Sequence, residues 1–240
     1  MLEALQAHRK IKVIRIARNQ SDRRLQQILQ LAEDRGIKVI RDDKKVLDRM
    51  ASYGIHQGIL AEAEPYRYYS LEDILNLAAE QGEEPLFLLL DGIEDPQNLG
   101  AIIRTAEGLG AHGVVIPKHG ACPVTPAVTR ASAGASEHLK VAMVTNLVSA
   151  MKELKERGIW IVGTDSRAAV SCYDIAYPTD IALVVGGEGK GIRRLVKENC
   201  DYMVSIPMRG RVNSLNASVS AAIVLAEVVR QRRAAASDNG

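Results

Sequence analysis

The chain has 240 residues, a formal net charge of +2, and 47% hydrophobic and 25% charged residues, a composition that fills a core and excludes a disordered or fibrous protein. No apolar run reaches the ~18 residues of a membrane span, and the opening MLEALQAHRK lacks the continuous apolar stretch of a secretory signal, so the expected compartment is the cytoplasm. Cys122, Cys172 and Cys200 are odd in number and widely spaced, and the histidines, including His112 and His119 near Cys122, show no ligand spacing; neither a disulfide framework nor a metal site is expected.

Residues 1–49 hold thirteen Lys or Arg against seven Asp or Glu, a local excess of +6 that leaves the other 191 residues at −4. A basic N-terminal module, with Arg15 and Arg18 among its cations, is therefore expected to meet a phosphate backbone ahead of a mildly acidic body. Within it, 11–17 reads as a strand, 22–35 as a helix with Gly36 beyond its end, 37–40 as a strand, 44–50 as a short helix and 58–62 as a strand. This gives a small α/β domain over 1–64. Pro65-Tyr66-Arg67-Tyr68-Tyr69 then breaks the pattern, and 65–83 is expected to be a linker. Its tyrosines suit either stacking on bases or packing between domains.

From residue 84 to 240 the pattern becomes strand, glycine-bearing loop and helix, with apolar strands at 86–90, 113–116, 139–144, 159–163, 181–185 and 202–206. Continuous apolar strands separated by helices predict a mostly parallel sheet covered on both faces, with ligands beyond the carboxyl ends of the strands. Three loops at such ends stand out. The first, 91–100, leads into a helix for which Asn98 is the expected N-cap, with Arg104 about two turns inside. The second, Gly186-Gly187-Glu188-Gly189-Lys190-Gly191, can bring backbone groups against a ligand. It matches neither dinucleotide fingerprint in the required place, which disfavours a nucleotide-dependent oxidoreductase. The third, 206–216, runs into a helix over 214–232 whose early residues Ala217, Ser218, Ser220, Ala221 and Ala222 are small. Ser214, Asn216 and Ser218 do not share one helical face, so the first of them belong to the loop.

Asn98-x-Gly100-x-x-x-Arg104-Thr105-Ala106, then Gly186-x-Glu188-Gly189-x-Gly191, then Ile206-Pro207-Met208 with Ser214-Leu215-Asn216-Ala217-Ser218 resemble the three motifs of the SpoU (TrmH-type) RNA 2'-O-ribose methyltransferases, in that family's order. The likeness covers 86–233, and His56-Gln57-Gly58 to Glu62 is similar to the end of the ribosomal-protein-like substrate-binding domain of the RlmB subgroup. That subgroup's small domain begins with a strand ahead of its Leu-Glu-Ala-Leu helix, whereas this chain starts at Met1-Leu2-Glu3-Ala4-Leu5, so the first strand is expected to be missing.

The resemblance implies a parallel-sheet domain closed by a C-terminal deep trefoil knot, with S-adenosylmethionine as cofactor, and a homodimer in which both chains contribute to each site. By position, Thr164, Gly186, Gly187, Ile206 and Leu215 contact the cofactor, while Asn98, Arg104, Glu188, Ser214 and Asn216 form the catalytic, RNA-facing side. Asn98 and Glu188 are expected to orient Arg104. The implied substrate is a guanosine of large-subunit ribosomal RNA. A transfer RNA ribose methyltransferase, or an RNA-binding ribosome assembly factor that keeps the fold without catalysis, are the alternatives.

Overall fold

The computed structural model describes residues 1–51 and 56–238, and the chain divides into two units, Met1–Arg67 and Tyr68–Gly240. The first unit opens with α1 (Leu2–Gln6). Strands β1 (Ile11–Ala17), β2 (Lys38–Asp42) and β3 (Ile59–Ala63) form a sheet in the order β2-β1-β3, with α2 (Arg23–Asp34) and α3 (Lys44–Met50) between them in sequence. Leu5, Ile14, Ile16, Leu25, Ile28 and Ala32 make its core. Asp22 starts α2 by accepting the Leu25 N–H at 2.7 Å, as an aspartate N-cap should.

The two arginines expected to meet phosphate have other partners. Arg15 Nη1 donates to Asp42 at 2.7 Å, tying β1 to β2 with both side chains largely covered. Arg18 lies 3.6 Å from Asp43. The cause is the parallel pairing that sets Arg15 beside Ile40 and Ala17 beside Asp42, which one sequence cannot display. Arg23, Arg24, Lys38, Lys44 and Lys45 are among the exposed cations of this unit that make no ion pair with a described residue.

The second unit begins earlier than the linker reading allows. Ser70 and Asp73 form a reciprocal capping box for α4 (Leu71–Gln81), and Leu71, Ile74, Leu75 and Ala78 bury one face of that helix in the main core. Their spacing of three, four and seven is the helical one. Tyr69 bridges to Ala142 and packs against the same core, and the Tyr68 hydroxyl accepts the Val124 N–H at 2.7 Å. These two tyrosines are packing residues.

Strands β4 (Leu86–Asp91), β5 (Gly113–Pro117), β6 (Val141–Val144), β7 (Trp160–Thr164), β8 (Val170–Ser171), β9 (Ile181–Gly186) and β10 (Tyr202–Ser205) form an all-parallel sheet in the order β6-β5-β4-β9-β7-β10-β8. Helices α5 (Pro96–Gly108), α6 (Pro126–Ala131), α7 (Leu147–Glu156), α8 (Arg194–Glu198) and α9 (Ala217–Asp238) complete the unit. Every residue of β4 and β5 is buried, which is why those strands read as continuous apolar runs. β9 inserts between β4 and β7, and β10 between β7 and β8, so residues distant in sequence share one sheet edge.

Helix α9 packs on α5 and β9. Its small residues Ala217 and Ala221 are already buried within the chain, with Val224, Leu225 and Val228. No helix among the described residues is long and apolar enough to cross a membrane.

Gly100 is the tightest point on α5. A Cβ there would lie 2.4 Å from Ala131 Cβ and 2.9 Å from both the Ser132 N and the Val128 O, so only glycine lets α5 and α6 meet. Gly100→Ala should lower stability by about 1–3 kcal/mol, read as a drop in the urea midpoint at unchanged slope.

Candidate functional site

Each motif loop is placed by a strand whose carboxyl end it follows. Helix α5 starts three residues before Asn98: Asp95 is the N-cap, accepting the Gln97 N–H at 3.1 Å, and Pro96 occupies the first turn. Proline's fixed φ favours the first helical position, so Asn98 is not the cap. Its side chain is free to turn inward, where it is 7% exposed.

Three segments converge on it. Asn98 Nδ2 donates to Glu188 Oε1 at 3.1 Å. Asn216 Nδ2 donates to Asn98 Oδ1 at 2.8 Å and to Glu188 Oε1 at 2.5 Å. Asn216 Oδ1 in turn accepts the backbone N–H groups of Ser218 and Val219, at 2.9 and 3.3 Å, and so caps α9. Asn98, Glu188 and Asn216 thus form a closed triangle that fixes the α5 start, the glycine loop and the entry to α9 relative to one another.

The expected cofactor residues fall in a row. Gly186 ends β9, Thr164 ends β7 and Ile206 follows β10, and these three strands are neighbours; at ~4.8 Å per strand the row spans roughly 10 Å. Thr164, Gly186, Gly187, Ile206 and Leu215 are all half-buried. None of the five carries a positive charge, and Ile206 and Leu215 add apolar surface. Beside Thr164, Lys197 Nζ donates to Asp165 at 2.6 Å. That hydrogen bond and the ammonium charge hold the Asp165 carboxyl below its usual pKa.

The glycines of the second loop serve the chain before any ligand. A Cβ on Gly186 would lie 2.2 Å from the Gly191 carbonyl carbon, and one on Gly187 would lie 2.0 Å from the Gly92 oxygen. Gly189 and Gly191 hold φ of +85° and +62°, which only glycine adopts without strain. The loop closes on itself and on the β4–α5 turn.

Sequence reasoning missed what anchors this loop. Asp91, 1% exposed at the end of β4, accepts the Arg193 backbone N–H and its Nε at 2.7 Å each, with Arg193 Nη2 also at 2.7 Å. The Asp91 carbonyl accepts the Gly187 N–H at 2.9 Å. Both ends of the glycine loop are therefore tied to one residue. The only trace in the sequence is an aspartate at the end of an otherwise apolar strand.

Arg104 and Ser214 stand outside the triangle. Arg104 is exposed and makes no hydrogen bond or ion pair with any described residue. Six residues along a helix separate it from Asn98 by ~9 Å of rise and ~120° of rotation. The expectation that Asn98 and Glu188 orient Arg104 within one chain is therefore corrected: they hold each other and Asn216. Ser214 is exposed at the end of its loop.

Comparison with known proteins adds to this geometry. Residues 85–226 match the SpoU rRNA Methylase family, and residues 1–69 match a family described as RNA 2'-O ribose methyltransferase substrate binding. The chain is similar to YacO of Bacillus subtilis, named as a TrmH family tRNA/rRNA methyltransferase, at 47% identity over 97% of this chain and 93% of that protein. It is 40% identical to the 23S rRNA (guanosine-2'-O-)-methyltransferase RlmB of Pseudomonas syringae, over 97% and 94% of the two. The crystal structure of the SpoU methyltransferase AviRb from Streptomyces viridochromogenes in complex with AdoMet superposes with a TM-score of 0.82 at 28% identity, covering 97% of this chain and 87% of that one.

Asp91→Ala should release the glycine loop while leaving the sheet intact. A loss of about 2 kcal/mol is expected, the worth of hydrogen bonds to a charged group, with amide hydrogen exchange rising over 187–193 and unchanged in β5. Asp91→Asn, which keeps one acceptor oxygen, should lose less.

Proposed function

Because the chain belongs to the SpoU rRNA Methylase family, we propose that it transfers a methyl group from S-adenosylmethionine to a ribose 2'-hydroxyl of RNA, and that the target is a guanosine of large-subunit ribosomal RNA. The observation that carries the reading is the meeting of Asn98, Glu188 and Asn216, from three distant segments, beside the half-buried row of Gly186, Thr164 and Ile206. The row suits the cofactor. With Gly187 and Leu215, its five residues offer backbone groups and apolar side chains for an adenosine, and none of the five is a cation. A trefoil knot, with the C-terminal segment passed through the loop before it, belongs to the proposed arrangement, and the inserted positions of β9 and β10 accord with it.

When bound, S-adenosylmethionine supplies an electrophilic methyl group. The work left to this chain is to align a ribose oxygen and to steady the charge that develops on it. The proposed part of Arg104 is to fork its guanidinium onto the adjacent phosphate and stabilise the developing alkoxide. The triangle holds the loops that carry Ser214 and Leu215, so that Ser214 meets the ribose and Leu215 the cofactor.

Two chains are proposed to form each site. Arg104 is turned away from its own triangle and has no described partner in its own chain, and a twofold pairing brings such a residue to the other copy's site. The exposed apolar Val219, at 46%, suits that interface better than Ala217 and Ala221, which are already buried.

The choice of ribosomal RNA over transfer RNA rests on the N-terminal unit. The RlmB relative, named for a 23S rRNA guanosine, aligns along nearly its whole length. Residues 1–69 match the substrate-binding family, and Arg23, Arg24, Lys38, Lys44 and Lys45 supply exposed charge for a phosphate backbone.

Single-turnover methylation of large-subunit ribosomal RNA tests the reading. The unaltered chain should transfer labelled methyl to ribose, and Arg104→Ala should be at least about a hundredfold slower at saturating RNA with cofactor affinity little changed. Light scattering should give twice the mass of the 26.1 kDa chain. A fully active Arg104→Ala enzyme removes that residue from the mechanism.

A further inference from the structure

Between β10 and α9 the chain runs with no regular structure, and every residue from Pro207 to Ser214 is exposed. Arg209 and Arg211 flank Gly210 there, and neither makes an ion pair or hydrogen bond with a described residue. Val212, 68% exposed, and Met208, 37% exposed, lie directly beside them. Lys190 is likewise exposed and without a described partner. It is two residues from Glu188 and so within about 7 Å of it, Cα to Cα.

Two acids of the same sheet edge are taken up by other cations, so they do not pair with these three. Asp91 is held by Arg193, Asp165 by Lys197, and the Glu188 Oε1 accepts both asparagine amides. Asp95 caps α5 through the Gln97 N–H, and it, Glu188 and Glu94 make no ion pair with a described residue. Three exposed cations without ion pairs to described residues therefore lie on the two loops that carry Glu188 and lead to Asn216, with two exposed apolar side chains beside the arginines in sequence.

That mixture suits one kind of nucleic acid. A guanidinium forks onto phosphate and also stacks on a base face, and apolar side chains cover bases that have left a stack. A duplex offers its phosphates but hides its base faces, so it uses only half of this surface. An unpaired strand uses both halves, and a short irregular segment anchored at Asn216 can follow it.

Resting on the reading of the chain as an RNA ribose methyltransferase, we infer that Met208 to Val212, together with Lys190, grip the unpaired RNA strand next to the target nucleotide, independently of its sequence. The catalytic unit then supplies its own phosphate and base contacts beside those of the N-terminal unit.

The test uses the full chain and fluorescent oligouridylate as the unpaired probe, with a duplex RNA of equal length for comparison. Arg209→Gln with Arg211→Gln removes two exposed charges that support no fold contact. With about 0.7 of a salt-slope unit per single-strand phosphate contact, the slope of log affinity against log salt should fall by about 1.4. Extrapolated from 1 M, that is about 25-fold weaker binding at 0.1 M salt. Duplex binding should change less, and cofactor binding by calorimetry and particle mass should not change. A control pair on α7 and the residue that caps its end, Lys152→Gln with Arg157→Gln, makes the same change in net charge and should leave all four readouts alone.

A retained slope, or an equal loss on duplex, overturns the inference. So does an unaltered chain that fails to bind oligouridylate at low salt. A variant that falls to half its mass with its slope retained assigns the arginines to a second copy of the chain instead. Failure of the parent reading shows separately, as a chain that binds oligouridylate but transfers no methyl group to RNA.

Discussion

One buried carboxylate sets the geometry of the catalytic unit. Asp91 ends the strand between β5 and β9, and through Arg193 and the Gly187 N–H it holds both ends of the 186–191 loop. A buried carboxylate is strongly unfavourable without partners, and here three donors at 2.7 Å satisfy it. Glu188 can then meet Asn98 and Asn216 only because the loop that carries it is fixed at both ends. The glycines follow from the same constraint, since Gly187 must pass within van der Waals range of the Gly92 backbone.

Charge divides along similar lines. Near the site Asp91 and Asp165 are paired with Arg193 and Lys197, while Glu188 accepts asparagine amides and keeps its charge. The cations Arg104, Lys190, Arg209 and Arg211 are left exposed. A chain of net charge +2 can therefore expose cations on its motif loops without a basic overall composition. The N-terminal unit reaches the same end differently, by a plain excess of basic residues on its surface, after Arg15 and Arg18 have been drawn to Asp42 and Asp43.

The strands and the motif residues were legible because buried parallel strands are continuous apolar runs and because glycine, proline and asparagine mark loop ends. What escaped was nonlocal. The Asp91–Arg193 pair joins residues 102 apart, and the insertion of β9 between β4 and β7 makes Gly186, Thr164 and Ile206 neighbours; neither leaves a local pattern. Two misses were local and avoidable. The N-cap Asp95 with Pro96 after it signals the α5 start three residues before Asn98, and Leu71, Ile74, Leu75 and Ala78 carry a helical period through a stretch read as linker. The facing of Arg104 away from Asn98 also follows from helix geometry alone.

The most direct test of the central claim is a map of ribose 2'-O-methylation across ribosomal and transfer RNA from cells with and without the gene. The account predicts that one guanosine of large-subunit ribosomal RNA loses its methyl group in the deletion and regains it with the unaltered gene but not with Arg104→Ala. An unchanged ribosomal map, or a loss confined to transfer RNA, would contradict it.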